Sequence, residues 1–214
     1  MRSRLGILGG MFDPVHNGHV NAARFAMETL DLDAMKIIPC NVPNHKKVLS
    51  ASAADRVAML KLALMDEPSM AIDDCEIRRG GISYTSETVR VIAEAGYWKY
   101  RIFVMGMDTF NALPGWYDWQ GFLESCHVLV LGRSGHKVNE LVFKELDLDH
   151  RQVVEPHELF EQCVGQVHVA RLFDMDLSST EVRSLFRKNG DVSGLLDPKV
   201  VEYIREHSLY ECNS

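Results

Sequence analysis

Short apolar runs recur along the chain, each broken by glycine, proline or a polar loop and most of them followed by residues of helical period. Residues 5–8, 35–39, 101–105, 128–131 and 166–172 form five such runs, and residues 70–77 alternate apolar with acidic side chains as a half-buried strand does. Between them, Ala22, Ala23, Phe25, Ala26 and Leu30 recur at helical spacing after Asn17. Val57, Leu60, Leu64 and Met65 define the inner face of a second helix within residues 52–66. Further helices follow Ser83-Tyr84-Thr85 and open after Leu177, and Asp197-Pro198 caps the last one with proline at its first position. Strands this short and this apolar are buried on both faces, which requires parallel pairing with helices packed on each side. The expected fold is α/β: a doubly wound, Rossmann-like parallel sheet in one domain, residues 1–214, with a small helical portion over about 178–214. Ligands of such sheets bind beyond the carboxyl ends of the strands, which puts Gly9, Pro39, Gly106 and Gly132 on one rim. Residues 138–166 carry no readable period.

Composition narrows what that rim binds. A net charge of −7 argues against nucleic acid and anionic membrane as partners, because both attract a basic surface. An acidic chain that holds phosphates must concentrate its cations locally. No apolar run reaches the length of a membrane helix. Met1-Arg2-Ser3-Arg4 imitates the start of a signal peptide, but the apolar stretch behind it is short and runs into Asp13 without a cleavage site. Cys40, Cys75, Cys126, Cys163 and Cys212 are odd in number and form no C-x-x-C pair, so they indicate neither a zinc site nor a disulfide framework and suit a reducing cytoplasm. Neither G-x-G-x-x-G nor G-x-x-x-x-G-K-[ST] occurs, which excludes those two phosphate loops. Monomer and homodimer both stay open.

The densest cluster of unusual residues, Gly9-Gly10-Met11-Phe12-Asp13-Pro14-Val15-His16-Asn17-Gly18-His19, directly follows the first apolar run. Two glycines permit a turn or the close approach of a ligand, Pro14 fixes the loop, and Asn17 or Gly18 is placed to cap the next helix. His16 and His19 are three apart at that helix start, so both face the end of the strand. Free N–H groups, the positive end of a helix dipole and two imidazoles then converge on one anion. Each piece alone has a plainer reading, as a turn or a packed histidine. Together they resemble the G-G-x-F-D-P-x-H-x-G-H signature of the nucleotidylyltransferases at all of its fixed positions. A second stretch, Leu177-Ser178-Ser179-Thr180-Glu181-Val182-Arg183, reads alone as a capping box. It also resembles the I-S-x-T-x-[IV]-R motif that closes the same family, with Leu177 for Ile the sole departure.

Intermediate stretches resemble one branch, the nicotinate mononucleotide adenylyltransferases. Ile38-Pro39-Cys40-Asn41-Val42-Pro43-Asn44-His45-Lys46 is similar to their I-I-P-x-x-x-P-x-H-[KR], Ser83-Tyr84-Thr85 to their S-Y-T, and Gly106-Met107-Asp108 to their I-G-x-D. Trp116-Tyr117 sits where they carry a stacking aromatic, and His127-Val128-Leu129-Val130 with Arg133 resembles the strand before their adenine-side loop. The chain departs at Cys40, Asn44 and Met105, where members often carry Asn, Pro and Ile.

The resemblance implies transfer of AMP from ATP to nicotinate mononucleotide, giving nicotinate adenine dinucleotide and pyrophosphate in NAD biosynthesis by direct in-line attack. It implies His16, His19 and Arg183 as catalytic, and these three with Gly9, Gly10, Met11, Phe12, Gly106, Asp108, Arg133, Ser178, Ser179 and Thr180 as the ATP site. It implies Asn41, His45, Lys46, Ser83, Tyr84, Thr85, Trp116 and Tyr117 as the acceptor site, with Mg²⁺ riding on the ATP phosphates and no metal site of the protein's own. The attacking oxygen is already an anionic phosphate, so catalysis reduces to positioning and to a positive field from His16, His19, Lys46 and Arg183. Arg183 suits that task because a guanidinium binds phosphate oxygens bidentately. His136, His150, His157, His168 and His207 match no motif and read as surface or structural. Two rivals stay open: an adenylyltransferase for another phosphorylated acceptor, such as phosphopantetheine or the amide mononucleotide, and a non-catalytic nucleotide-binding module on the same fold.

Overall fold

The computed structural model describes residues 2–44, 49–132, 140–170, 173 and 177–211. The chain runs β1 (Arg2–Gly10), α1 (Asn17–Leu30), β2 (Ala34–Pro39), β3 (Val42–Pro43), α2 (Ala53–Ala63), β4 (Met70–Ile72), α3 (Cys75–Arg79), β5 (Ile82–Ser83) and α4 (Thr85–Glu94). It continues β6 (Trp98–Gly106), α5 (Met107–Asn111), α6 (Trp119–Leu123), β7 (His127–Leu131), α7 (Glu140–Glu145), β8 (Gln152–Val153), β9 (Val167–Ala170), α8 (Ser179–Arg187) and α9 (Pro198–Glu206). Seven strands form one sheet in the order β4-β2-β1-β6-β7-β9-β8, with every pair parallel. β3 and β5 pair separately, Val42 opposite Ile82 and Pro43 opposite Ser83.

Period-two alternation in the strands divides the core into two layers. Leu5, Ile7, Phe103, Met105, Val128 and Val130 bury against α4, α5, α6 and α7 on one face. Leu8, Ile102, Val104, Leu129 and Leu131 bury against α1, α2, α8 and α9 on the other. Both faces are covered, which is why the central strands are apolar at successive positions. From β1 the chain moves outward to β2 and β4, then returns to the centre at β6 and moves the other way. The sheet order therefore reverses between β1 and β6, and a crevice opens beyond their carboxyl ends.

Three expectations need correction. The strand expected over residues 70–77 stops at Ile72, because Asp73 Oδ1 accepts the Cys75 N–H (3.2 Å) and turns the chain into α3. Of the expected inner face of α2, Leu60 and Leu64 are buried, but Arg56 and Met59 join them where Val57 is only half-buried, and Met65 lies beyond the helix and is 59% exposed. The unreadable region 138–166 contributes α7, β8 and two 3₁₀ turns, so the sheet has a seventh strand at its edge. The last helix is as expected: the Asp197 side chain accepts the Lys199 N–H at 2.8 Å with Pro198 at the first position. Expected strand residues Arg171 and Leu172 lie outside the described residues.

Candidate active site

Gly9 and Gly10 end β1 at the crevice, and they remain in the strand instead of forming the expected turn. What they provide is close approach. A Cβ on Gly9 would stand 3.3 Å from the Phe103 ring, and one on Gly10 would stand 3.1 Å from the Phe12 ring. The left-handed residue of the loop is Phe12 itself, at φ 48°. Its ring is buried in the core, edge-on to His19 at 4.9 Å, and does not line the cleft. The cap of α1 is the extended residue His16, not Asn17 or Gly18. Asn17 instead donates to the Leu195 carbonyl from its main chain and to the Gly194 carbonyl from its amide, both at 2.8 Å.

The two histidines form a single unit. The His16 main-chain N–H donates to His19 Nδ1 at 3.2 Å, which in a neutral ring leaves the proton on Nε2. Their rings stack with centroids 3.7 Å apart. Burial pulls His16 down to about 4 against the opposing pull of Glu181, and burial followed by the neighbouring His16 holds His19 well below the usual imidazole range. Burial thus favours the neutral form of both rings before a ligand binds, and the Nδ1 contact turns His19 Nε2–H into a donor. Among the described residues that line the cleft, the permanent cation is Arg183. It reaches across from α8: Nη1 donates to the Asp13 carbonyl, Nη2 donates to Thr180 Oγ1 (3.3 Å), and the Asp13 carboxylate stands 4.0 Å away.

Ser178 caps α8, its Oγ accepting the Glu181 N–H at 3.2 Å and donating to the Glu181 carboxylate at 2.7 Å. Ser179 Oγ donates to the Pro14 carbonyl at 2.9 Å, so the second motif is bonded directly onto the first. Met11, Gly106, Asp108 and Thr180 also face the cleft, with Gly106 capping α5. On the acceptor side stand Ser83, Tyr84, Thr85, Trp116 and Tyr117. The Tyr84 and Tyr117 rings meet at 4.7 Å, while Trp116 packs edge-on against Phe103 (6.4 Å) and Phe122 (5.4 Å). Asn41 is not on the wall. It ties β3 to β5, its N–H donating to Ser83 Oγ and its amide donating to the Gly81 carbonyl, both at 2.9 Å. His45, Lys46 and Arg133 lie outside the described residues.

The cleft has a volume of about 980 Å³ and holds both expected halves of the site. Two further residues line the wall, and a third supports it from behind; of these Glu76 and Arg56 carried no sequence signal. Glu76, buried on short α3, accepts from Thr88 Oγ1 at 2.6 Å, and Cys40 lines the wall with its thiol pushed up to about 11 by burial. Arg56, fully buried, supports the loop from behind by donating to the Met11 carbonyl at 2.8 Å.

A switch-point crevice bearing a glycine pair, two histidines and an arginine defines an α/β protein built to hold phosphates, and residues 7–185 match the Cytidylyltransferase-like family. Relatives named as probable nicotinate-nucleotide adenylyltransferases include that of Marinomonas sp. (strain MWYL1), 36% identical over 211 residues covering 97% of this chain and 95% of the relative. Another, from Hahella chejuensis (strain KCTC 2396), is 37% identical over 206 residues covering 95% and 94%. The chain belongs to the nicotinate-nucleotide adenylyltransferase family. Its fold is that of the Plasmodium falciparum nicotinic acid mononucleotide adenylyltransferase, solved in complex with NaAD (TM-score 0.76, 16% identity, 97% of both chains covered) and with APC (TM-score 0.74, 15% identity, 97% of both).

Proposed function

We propose that this protein transfers the adenylyl group of MgATP to nicotinate mononucleotide, releasing pyrophosphate and forming nicotinate adenine dinucleotide. The observation that carries the reading is the single cleft in which His16, His19, Arg183 and the N-termini of α1 and α8 face an aromatic half bearing Trp116, Tyr117 and Thr85. In the proposed pose the triphosphate lies along the α1–α8 side, with His19 Nε2 and Arg183 donating to its oxygens. The mononucleotide phosphate attacks the α-phosphorus from the opposite side. It is already anionic, so no general base is needed, and the barrier is lowered by alignment and by donors aimed at the charge that develops on the α-phosphate and the leaving pyrophosphate. Mg²⁺ enters as the counter-ion of ATP and supplies charge neutralisation on its phosphates. Ser178, Ser179 and Thr180 bond within the protein before ATP binds, and in this reading they exchange those partners for phosphate oxygens.

The acid is proposed over the amide because the main-chain N–H of Tyr117 and the hydroxyl of Thr85 both donate. A carboxylate accepts from each. An amide can place its carbonyl on the Tyr117 N–H and its NH₂ on the Thr85 oxygen, but it forgoes the charge-assisted strength of both bonds, at roughly 1–3 kcal/mol. Calorimetric titration with MgATP, followed by mass analysis of the product formed with nicotinate mononucleotide, tests the reading. Adenylylated dinucleotide with one pyrophosphate per turnover is expected; ATP binding without product would favour the non-catalytic module.

A further inference from the structure

Asp13 belongs to the first motif, yet its carboxylate does not face the cleft. It is 3% exposed and serves as a junction. Oδ2 accepts the Ser50 N–H at 2.7 Å, and Oδ1 accepts the Ala51 N–H at 3.0 Å and the hydroxyl of Tyr210 at 2.8 Å. Tyr210 lies in the segment after α9, almost two hundred residues away, and is 7% exposed at φ 66°. Arg183 Nη1 is held by the Asp13 carbonyl with the same residue's carboxylate 4.0 Å off. That carboxylate and a bound phosphate would compete for one guanidinium.

We propose that Tyr210 is a positioning residue for ATP: its hydroxyl occupies Asp13 Oδ1 and thereby leaves Arg183 available to the triphosphate instead of paired with the Asp13 carboxylate. The physical argument is one of charge balance. A buried carboxylate must find donors, and among the described residues Asp13 has two main-chain N–H groups and the Tyr210 hydroxyl. Removing the hydroxyl leaves Oδ1 with one donor and the buried carboxylate short of a partner, and a cation already stands beside it: Arg183 Nη1 lies 4.0 Å from the other oxygen, Oδ2. Charge-assisted pairing would then draw the guanidinium off the cleft wall. Burial and the adjacent Asp13 push the Tyr210 phenol upward, so it remains a donor across the working pH range.

This inference rests on the proposed ATP site, and the test separates the two. Titrations of MgATP and of AMP into unmodified protein, Tyr210→Phe, Arg183→Ala and the double variant form a cycle. Absence of ATP binding to the unmodified protein would overturn the proposed function itself. Given ATP binding there, Tyr210→Phe is expected to weaken ATP about fivefold or more, to leave AMP within twofold, and to add nothing further in the Arg183→Ala background. Unchanged ATP affinity, equal losses for ATP and AMP, or additive losses in the double variant would each overturn it. Should Tyr210→Phe not fold, 3-fluorotyrosine at position 210, a stronger donor of the same shape, is expected to keep ATP affinity at or above that of the unmodified protein; a loss there contradicts the proposal.

Discussion

His19 meets three constraints at once. Its Nδ1 is taken by the His16 N–H, its ring stacks on His16, and burial keeps it neutral, so its remaining nitrogen is a fixed donor at the cleft. His19→Ala is expected to fold and to lose roughly 10²–10³-fold in turnover, the size of one preorganised transition-state donor; near-normal turnover in a folded variant would remove the phosphate role. Arg183 acts on the far end of the same polyanion. Arg183→Ala should weaken ATP by about 10–100-fold, the range for a hydrogen bond to a charged group, and AMP hardly at all, by competition titration. Thr85, the first residue of α4, is the specificity side chain, and Thr85→Val should narrow the ratio of acid to amide substrate in kcat/KM without abolishing activity.

Element ends decide whether these side chains arrive together. α8 is capped by Ser178 and bonded to the first loop by Ser179, while α9 is capped by Asp197, which does not line the cleft, and leans on α2 through Tyr203 and Asp55 (3.0 Å). Asp197→Ala should therefore cost about 1 kcal/mol of stability, the usual worth of such a cap, with ATP affinity unchanged; a parallel loss of affinity in titration would mean that α9 is coupled to the site. This division also explains what was legible in the sequence. Strands with two buried faces and helices with caps write themselves as apolar runs and as Ser, Asp-Pro or Gly signals, and the two motifs marked both ends of the site. Phe12 and Asn41 stand behind the wall, Phe12 packed in the core and Asn41 tying β3 to β5: a motif records that a residue is required, not whether it touches the ligand or holds the loop. Glu76, Arg56 and the Tyr210–Asp13 bond left no trace because they are pairings across long separations, and a buried Arg56 looks on paper like any surface helix residue. β8 was unreadable because a two-residue edge strand has no period to detect.

Across the whole molecule the buried imidazoles set the response to acid. Besides the cleft pair, His127 is fully buried on β7 and pulled down to about 4 by burial and then by Arg101, and burial also lowers His168 on β9. These rings bind fewer protons folded than unfolded. Their contribution to stability is therefore complete above an unfolded value near 6.5 and is lost as pH falls from there toward 4. For His127 alone the full loss is roughly 3 kcal/mol, so the denaturation midpoint should fall between pH 7 and pH 4.5, and less steeply in a folded His127→Leu variant. A midpoint flat over that range would contradict the burial account. The sheet that buries them also fixes the crevice, since the reversal between β1 and β6 brings Gly9, Gly10 and Gly106 to one rim.

Pyrophosphate release from MgATP against a panel of phosphorylated acceptors, comprising nicotinate mononucleotide, its amide and phosphopantetheine, tests the central claim most directly. The predicted result is release that depends on the acceptor, with nicotinate mononucleotide ahead of its amide by at least about tenfold in kcat/KM, the low end of what charge-assisted hydrogen bonding to the carboxylate is worth. Comparable values for acid and amide would contradict the specificity assigned to Thr85 and the Tyr117 N–H, and no release with either mononucleotide would contradict adenylyl transfer to a pyridine nucleotide altogether.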